Sequence, residues 1–445
     1  MKINNFKNSL FILNLLFPLT AHAGGYSLDD CIQWALESKK TILSSNLGVE
    51  LAEKDFKSSY SGLLPSVQAY SNRNYTQFSE RVDIIPIFND TIYTNSTENL
   101  SAGVSLNQTL YDGGRSFNQV KNSKENLKIA RLNQRISKIQ VIQNVIKAYY
   151  GLLKAQQLYE VAEKNLEMSN QQVSLISKQF DLGVIKKTDL LKARVSLGQA
   201  KVDLLNKKTN LSNSRRILFN SIGIQDFGQK ITAIEETWSL PNIPSSADIL
   251  RFLKTKNPSL LISDIQIYLG GLNYKTARAL RLPSLNTSLT YSANGTTINE
   301  LQNALKEDWS LGMNLSLSIP IYTGKSLYLN QQKTKIFIKQ AEYDYVTRLN
   351  DLRVQAELIR ESLNNYAEII PLNESVVNSA EEDLKLVTKR YTLGSVTILE
   401  VLDAQVSLIR SNSTLINIIH DARIQESNLK GLLGLLDFEY ISREN

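Results

Sequence analysis

The chain has 445 residues, a net charge of +7, one cysteine and two histidines. A single cysteine excludes an internal disulfide, and Cys31 with His420, the one histidine beyond residue 23, cannot furnish a Cys/His zinc cluster. Basic residues are interspersed with acids and gather only in short pairs such as Lys186-Lys187, Lys207-Lys208 and Arg215-Arg216, so no nucleic-acid face is expected.

At the N-terminus, Lys2 and Lys7 precede an apolar run from Ser9 to Leu19, followed by Ala21-His22-Ala23. This pattern predicts a secretory signal peptide over 1–23, cleaved after Ala23. The run is too short for a membrane helix and is interrupted by Asn14 and Pro18. Asp29-Asp30 directly before Cys31 argue against a lipidated cysteine, so Cys31 is read as a packed thiol.

The rest of the chain is an internal duplication. Phe180-Asp181-Leu182-Gly183-Val184-Ile185 returns as Tyr391-Thr392-Leu393-Gly394-Ser395-Val396, an offset of 211. Tyr111-Asp112-Gly113 and Tyr322-Thr323-Gly324 share that offset, so 106–223 aligns with 317–434 without a gap. Leu64-Pro65-Ser66 aligns with Leu282-Pro283-Ser284 at an offset of 218, which leaves about seven extra residues between 66 and 106, where a variable loop is expected.

Repeat 1, 24–223, is expected to hold a helix, a strand pair over about 65–110, a long helix 116–182 and a return helix 189–222. A connector 224–245 with Pro241 and Pro244 should lie midway along the helices. Repeat 2, 246–434, is expected to hold a helix broken near Asn257-Pro258, a strand pair over about 283–319, a long helix 326–393 bent at Pro371, and a return helix 400–433. Residues 435–445 form a tail.

The strands alternate. Trp309, Leu311, Met313, Leu315, Leu317 and Ile319 share one face, and Ser310, Gly312, Asn314, Ser316 and Ser318 the other. An apolar face backed by a small polar one, over about 10 residues, suits a strand crossing a bilayer around a watery lumen. Four strands cannot close such a barrel, so several copies must share it; three would give twelve strands. Residues 116–182 contain no proline, and at 1.5 Å per residue they would span about 100 Å of helix. Leu190, Leu197, Leu204, Leu211 and Leu218 recur every seven residues, as do Val401, Leu408, Leu415, Ala422 and Leu429, which predicts left-handed supercoiling. The fold class expected is therefore mainly α with membrane β, in two tandem repeats.

Glu400 and Asp403 lie one helical turn apart on one face of the last long hairpin. On the residues alone they fit either an acidic helix start or, ringed by symmetry, a cation-attracting constriction. No Gly-rich phosphate loop is present, and a triad could be built only on His420, so neither an enzyme nor a cofactor is expected. A trimeric coiled-coil surface adhesin would use the heptads but leaves the strand pairs inside each repeat unexplained.

Tyr26-Ser27-Leu28-Asp29-Asp30-Cys31, the Leu-Pro-Ser strand entries, Leu110-Tyr111-Asp112-Gly113-Gly114 and the two glycine turns together resemble the TolC-like outer-membrane efflux and secretion proteins over about 26–435. The resemblance implies a homotrimer in the cell outer membrane, with a twelve-strand barrel in lipid and an α-helical tunnel reaching into the periplasm. It implies docking onto a periplasmic adaptor (a membrane fusion protein) and an inner-membrane pump of ABC or RND type. It maps the adaptor contact onto Leu182, Gly183, Val184, Leu393, Gly394 and Ser395, and the gate, where cations would block, onto Glu400 and Asp403. It maps tip latches onto Thr188, Asp189 and Tyr391, while the family's basic link residue falls on Val396. Cargo would be proteins or peptides by type I secretion, or drugs. Many drug-efflux members carry a lipidated N-terminal cysteine, so an unlipidated Cys31 leans toward secretion.

Overall fold

The computed structural model describes residues 26–85, 90–224, 233 and 242–441; the expected signal peptide and most of the connector lie outside the described residues. Helix α1 (Leu28–Ser38) opens on a capping box, in which Asp30 N donates to Ser27 Oγ at 3.2 Å and Ser27 N to Asp30 Oδ2 at 3.1 Å. Cys31 is fully buried on the inner face of α1 with Leu28, Ile32 and Ala35. Burial, aided by Asp30, pushes its thiol up to about 12. The backbone turns extended at Lys39 before α2 (Lys40–Ser58), a break that the sequence did not announce. A short 3-10 turn (Ser59–Leu63) leads into the sheet.

Four strands form one antiparallel sheet in sequence order: β1 (Ser66–Ile85), β2 (Asp90–Tyr111), β3 (Ser284–Gly295) and β4 (Ser310–Ser318). The β2–β3 ladder joins the two repeats, running from Leu100↔Gly295 to Tyr111↔Leu285. β1 and β2 continue together past that ladder as far as Ile85↔Asp90, as a two-stranded ribbon. The extra residues of the first repeat thus lengthen a hairpin, where the sequence led us to expect a loop. Register puts Val67, Leu106, Leu289 and Met313 side by side on one face, and Ser66, Asn107, Ser288 and Asn314 side by side on the other. Leu311, Met313, Leu315 and Leu317 all stand exposed. Between β3 and β4 lies α7 (Ile298–Ala304), whose Leu301 and Ala304 cover Leu100, Ala102 and Ala293 on the apolar face. β1 and β4 are sheet edges in the single chain, which hydrocarbon cannot accommodate. Among the described residues no helix is long and apolar enough to cross a membrane.

Two helices dominate. α3 (Arg115–Asp181) and α8 (Ser326–Thr392) each run 67 residues, and the sequence offset of 211 carries one onto the other at both ends. α8 passes through Pro371 without a break; Asn373 Nδ2 caps the nearby Ile369 carbonyl at 2.9 Å. The return helices are α4 (Lys187–Ile222) and α9 (Ile398–Leu432). Their buried stripes, Leu190, Ala193, Ala200 and Leu218 in α4 and Val401, Ala404, Ser411, Ala422 and Leu429 in α9, follow the heptad. α5 (Ser246–Lys256) and α6 (Pro258–Ala279) meet at Asn257, whose Oδ1 accepts from Leu260 N at 2.8 Å, so Pro258 restarts the helix. The expected C-terminal tail contains a further helix, α10 (Leu436–Ile441), clamped by the Arg135 guanidinium on the Asp437 carboxylate at 2.8 and 3.2 Å.

The long helices begin differently in the two repeats. Asp112 accepts from Gly114 N at 3.0 Å and from Ser116 N at 2.8 Å, capping α3. Burial alone would raise this carboxyl, but the hydrogen bonds from Ser116 and Gly114 and the charge of Arg115 together hold it below the usual range. Gly114 takes a left-handed conformation there, and in α8 the matching residue is Lys325, left-handed at φ 65°. A side chain costs about 1–2 kcal/mol in that region. Lys325→Gly should therefore stabilise the fold by about 1 kcal/mol per protomer. The check is the dissociation temperature of the assembled protein, which should rise.

Within each hairpin the packing is apolar, whereas the seam between α3 and α9 carries a row of polar contacts. Gln405 Nε2 donates to Asn165 Oδ1 at 2.7 Å, and Lys154 pairs with Asp421 at 3.3 Å. His420 is fully buried; its Nε2 lies 2.8 Å from Gln157 Oε1, and Nδ1 has no partner. Burial first, then Arg423 and Lys154, depress its pKa to about 4. The folded state thus binds its proton later than the unfolded chain, so stability falls as pH drops from about 6.5 toward 4. The loss should be on the order of 2–3 kcal/mol. His420→Gln should flatten the dissociation temperature over that interval. An unchanged slope would assign the acid sensitivity to other groups.

Candidate functional site

The two hairpin turns lie at the end of α3 and α8 remote from the sheet. Each closes by the same pair of hydrogen bonds. Gly183 N donates to Phe180 O at 2.8 Å and Val184 N to Gln179 O at 2.9 Å; Gly394 N donates to Tyr391 O at 2.9 Å and Ser395 N to Arg390 O at 3.1 Å. Gly183 and Gly394 are left-handed, φ 75° and 74°, as this closure requires. The turns thrust Leu182, Val184 and Leu393 into solvent, 79 %, 70 % and 82 % exposed. Three apolar side chains thus stand open at this end of the coil. Ser395 replaces the fourth such side chain, and its hydroxyl donates to Arg390 O at 2.9 Å.

Behind the turns one apolar cluster ties the hairpins together. Ile176, Leu190 and Ala193 of the first pack with Val387, Ile398, Val401 and Ala404 of the second, and Val396 leans against them. Tyr391 Oη crosses between hairpins and donates to Gln179 Oε1 at 3.2 Å. Of the three latch positions, Tyr391 bonds to Gln179, a residue outside that set, because the relative rotation of α3 and α8 decides which polar residue comes within reach. Asp189 is half-buried nearby. Burial, then the charge of Asp189, raises the phenol's pKa. Thr188 is exposed.

Glu400 and Asp403 are both exposed, while Val401 and Ala404 beside them are buried in the tip cluster. The carboxylates therefore face away from the chain's own core. Glu400 Oε1 also accepts from Thr397 N at 3.2 Å and Thr397 Oγ1 at 3.3 Å, so it caps α9 while remaining open to solvent. The repeat equivalents of this pair are Asp189 and Lys192, of opposite sign, so the unbalanced negative charge belongs to the second hairpin alone. Among the described residues no cluster of three or more His, Cys, Asp or Glu side chains could hold a metal ion.

The profile of the family described as outer membrane efflux protein matches residues 31–224 and 251–435, the two repeats in turn. The chain is 24% identical to the outer membrane protein TolC of Vibrio cholerae over 438 residues, covering 96% of this chain and 95% of that one. It is 23% identical to the cation efflux system protein CusC of Escherichia coli, covering 77% of this chain and 74% of that one. The solved open state of the Neisseria gonorrhoeae MtrE outer membrane channel superposes with a TM-score of 0.77 at 17% identity, covering 92% and 89% of the two chains. These matches retire the adhesin reading, for the strand pairs are the channel's barrel segment. The chain belongs to the outer membrane efflux protein family: it is one protomer of a trimeric outer-membrane channel-tunnel, a β-barrel in the membrane continued by a helical tunnel in the periplasm.

Proposed function

We propose that this channel is the outer-membrane duct of an export machine, closed at rest by its hairpin tips and opened when a periplasmic adaptor docks there. The observation that carries the reading is the pairing at each tip of exposed leucine, Leu182 or Leu393, with a glycine-closed turn on a stiff coil. A helical hairpin from an adaptor would bury those side chains together with Gly183, Val184, Gly394 and Ser395. The adaptor links the duct to an inner-membrane pump of ABC or RND type. Cargo is protein or peptide by type I secretion, with drugs as the second class. Threefold symmetry would gather six carboxylates from Glu400 and Asp403 at the mouth, where they favour and bind cations. Tyr391 with Gln179, flanked by Thr188 and Asp189, holds the second hairpin against the first.

Changing Leu182 and Leu393 together to Asp tests the docking surface. Export should fall at least about tenfold, as expected when central apolar anchors of an interface are lost, and site-specific cross-linking to the adaptor should disappear. Trimer yield measured alongside separates loss of docking from loss of assembly. Full export by the double variant would refute tip docking.

A further inference from the structure

Among the described residues of the four-stranded region, the polar face of the sheet carries no fixed charge. Register assigns Ser66, Asn107, Ser288 and Asn314 to one row across the four strands, and Gln68, Ser105, Thr290 and Gly312 to the next. Tyr70, Gly103, Ser292 and Ser310 follow, and Thr109, Asn286 and Ser316 lie on the other side of the first row. Ser66, Asn107, Asn286, Ser288, Asn314 and Ser316 line one concavity. Among the described residues of the four-stranded region, 66–76, 97–111, 284–295 and 310–318, only Arg73 and Glu98 are charged. Both stand on the opposite face, where they neutralise each other at 2.5 Å.

Hydroxyls and amides hydrate either sign of charge by turning donor or acceptor toward it. With no net charge, the wall neither concentrates nor repels ions. The carboxylates of the tip lie a whole α3 length away, about 100 Å for 67 residues. That is about twelve Debye lengths at physiological salt, so their field does not reach the sheet.

We propose that the barrel is a charge-blind exit, which passes cationic, anionic and mixed-charge cargo alike and leaves all discrimination by charge to the helical tunnel. An extended polypeptide bearing both signs meets no retaining site there, whereas acidic or basic rings would hold one class of its side chains. The inference rests on the channel architecture and not on the tip gate.

Single cysteines at Ser288→Cys and Asn314→Cys test it, each carried by trimers in outer-membrane vesicles. The natural Cys31 is fully buried, so the unaltered protein serves as the blank. Cationic and anionic methanethiosulfonates of similar size are added from the outer face, and each rate is divided by that for a free thiol. The ratio of the two should lie within about threefold of unity at both positions. Asn314→Asp placed beside Ser288→Cys should then raise the cationic reagent's advantage several-fold. A ratio beyond about tenfold in either direction overturns the proposal. So does failure of both thiols to react in an intact trimer, or indifference of the Ser288→Cys ratio to the added carboxylate. Because the reagents enter from outside, a wrong assignment of Glu400 and Asp403 would leave these readings unchanged.

Discussion

Exchanging Glu400 for Gln and Asp403 for Asn together should cut the trimer's preference for cations over anions by about tenfold, read as a shift in reversal potential across a planar bilayer under a salt gradient. Block by multivalent cations applied from the tip side should vanish with it. The amide variants are the informative ones. Glu400 caps α9 through Thr397 N, and Gln retains an oxygen to accept that bond, while Ala would unmake the cap and loosen the helix start by about 1 kcal/mol. Charge is then the only property removed. Equivalent changes at Asp189 and Lys192 remove a balanced pair and should shift selectivity little. Unchanged selectivity in the double amide variant would show that the six carboxylates do not ring the conducting path.

The second large effect is expected at Gly103. A Cβ there would collide with the Tyr291 carbonyl of β3 and approach the Tyr70 hydroxyl and Ser292 Cα. Tyr70 lies opposite Gly103 in the β1–β2 register, so its ring occupies the space the glycine leaves. Gly103→Leu must therefore open the β2–β3 ladder, the one sheet contact between the repeats among the described residues. Strain of at least about 3 kcal/mol in each protomer, felt three times in one closed barrel, should abolish the heat-modifiable trimer in outer-membrane fractions. Tyr70→Ala should not rescue it, because the obstructing carbonyl is backbone. Normal trimer yield from Gly103→Leu would mean that β2 and β3 do not pair as described.

The features legible in the sequence were those repeated over many turns or twice over. The heptads of α4 and α9, the glycine turns at 183 and 394, and the alternation of β4 each repeat often enough to outweigh local noise. What escaped is short or depends on how elements meet. α7 has seven residues, too few for a helical period to stand out between two strands. α10 is held by Arg135, which lies far away along the chain. The break at Lys39 has neither proline nor glycine to mark it. At the tip, the position of Glu400, Asp403 and the turn residues at the far end of the hairpins followed from the repeat, while the roles proposed for them came from the resemblance. Gln179 as the partner of Tyr391 did not follow, since a residue of α3 and one of α8 are neighbours only through the azimuth at which the two coils pack.

The matched lengths of α3 and α8 carry a further consequence. Seven residues advance a helix by about 10 Å and return its seam to the same azimuth, whereas four added residues would turn everything beyond them by roughly 40°. A longer or shorter relative of this cylinder keeps every seam in register most directly by whole heptads, inserted at the same level in outgoing and return helices of both repeats, whereas three or four residues must be absorbed by local over- or underwinding. The reach of the duct beneath the membrane is thus graded in steps of about 10 Å, one heptad at a time.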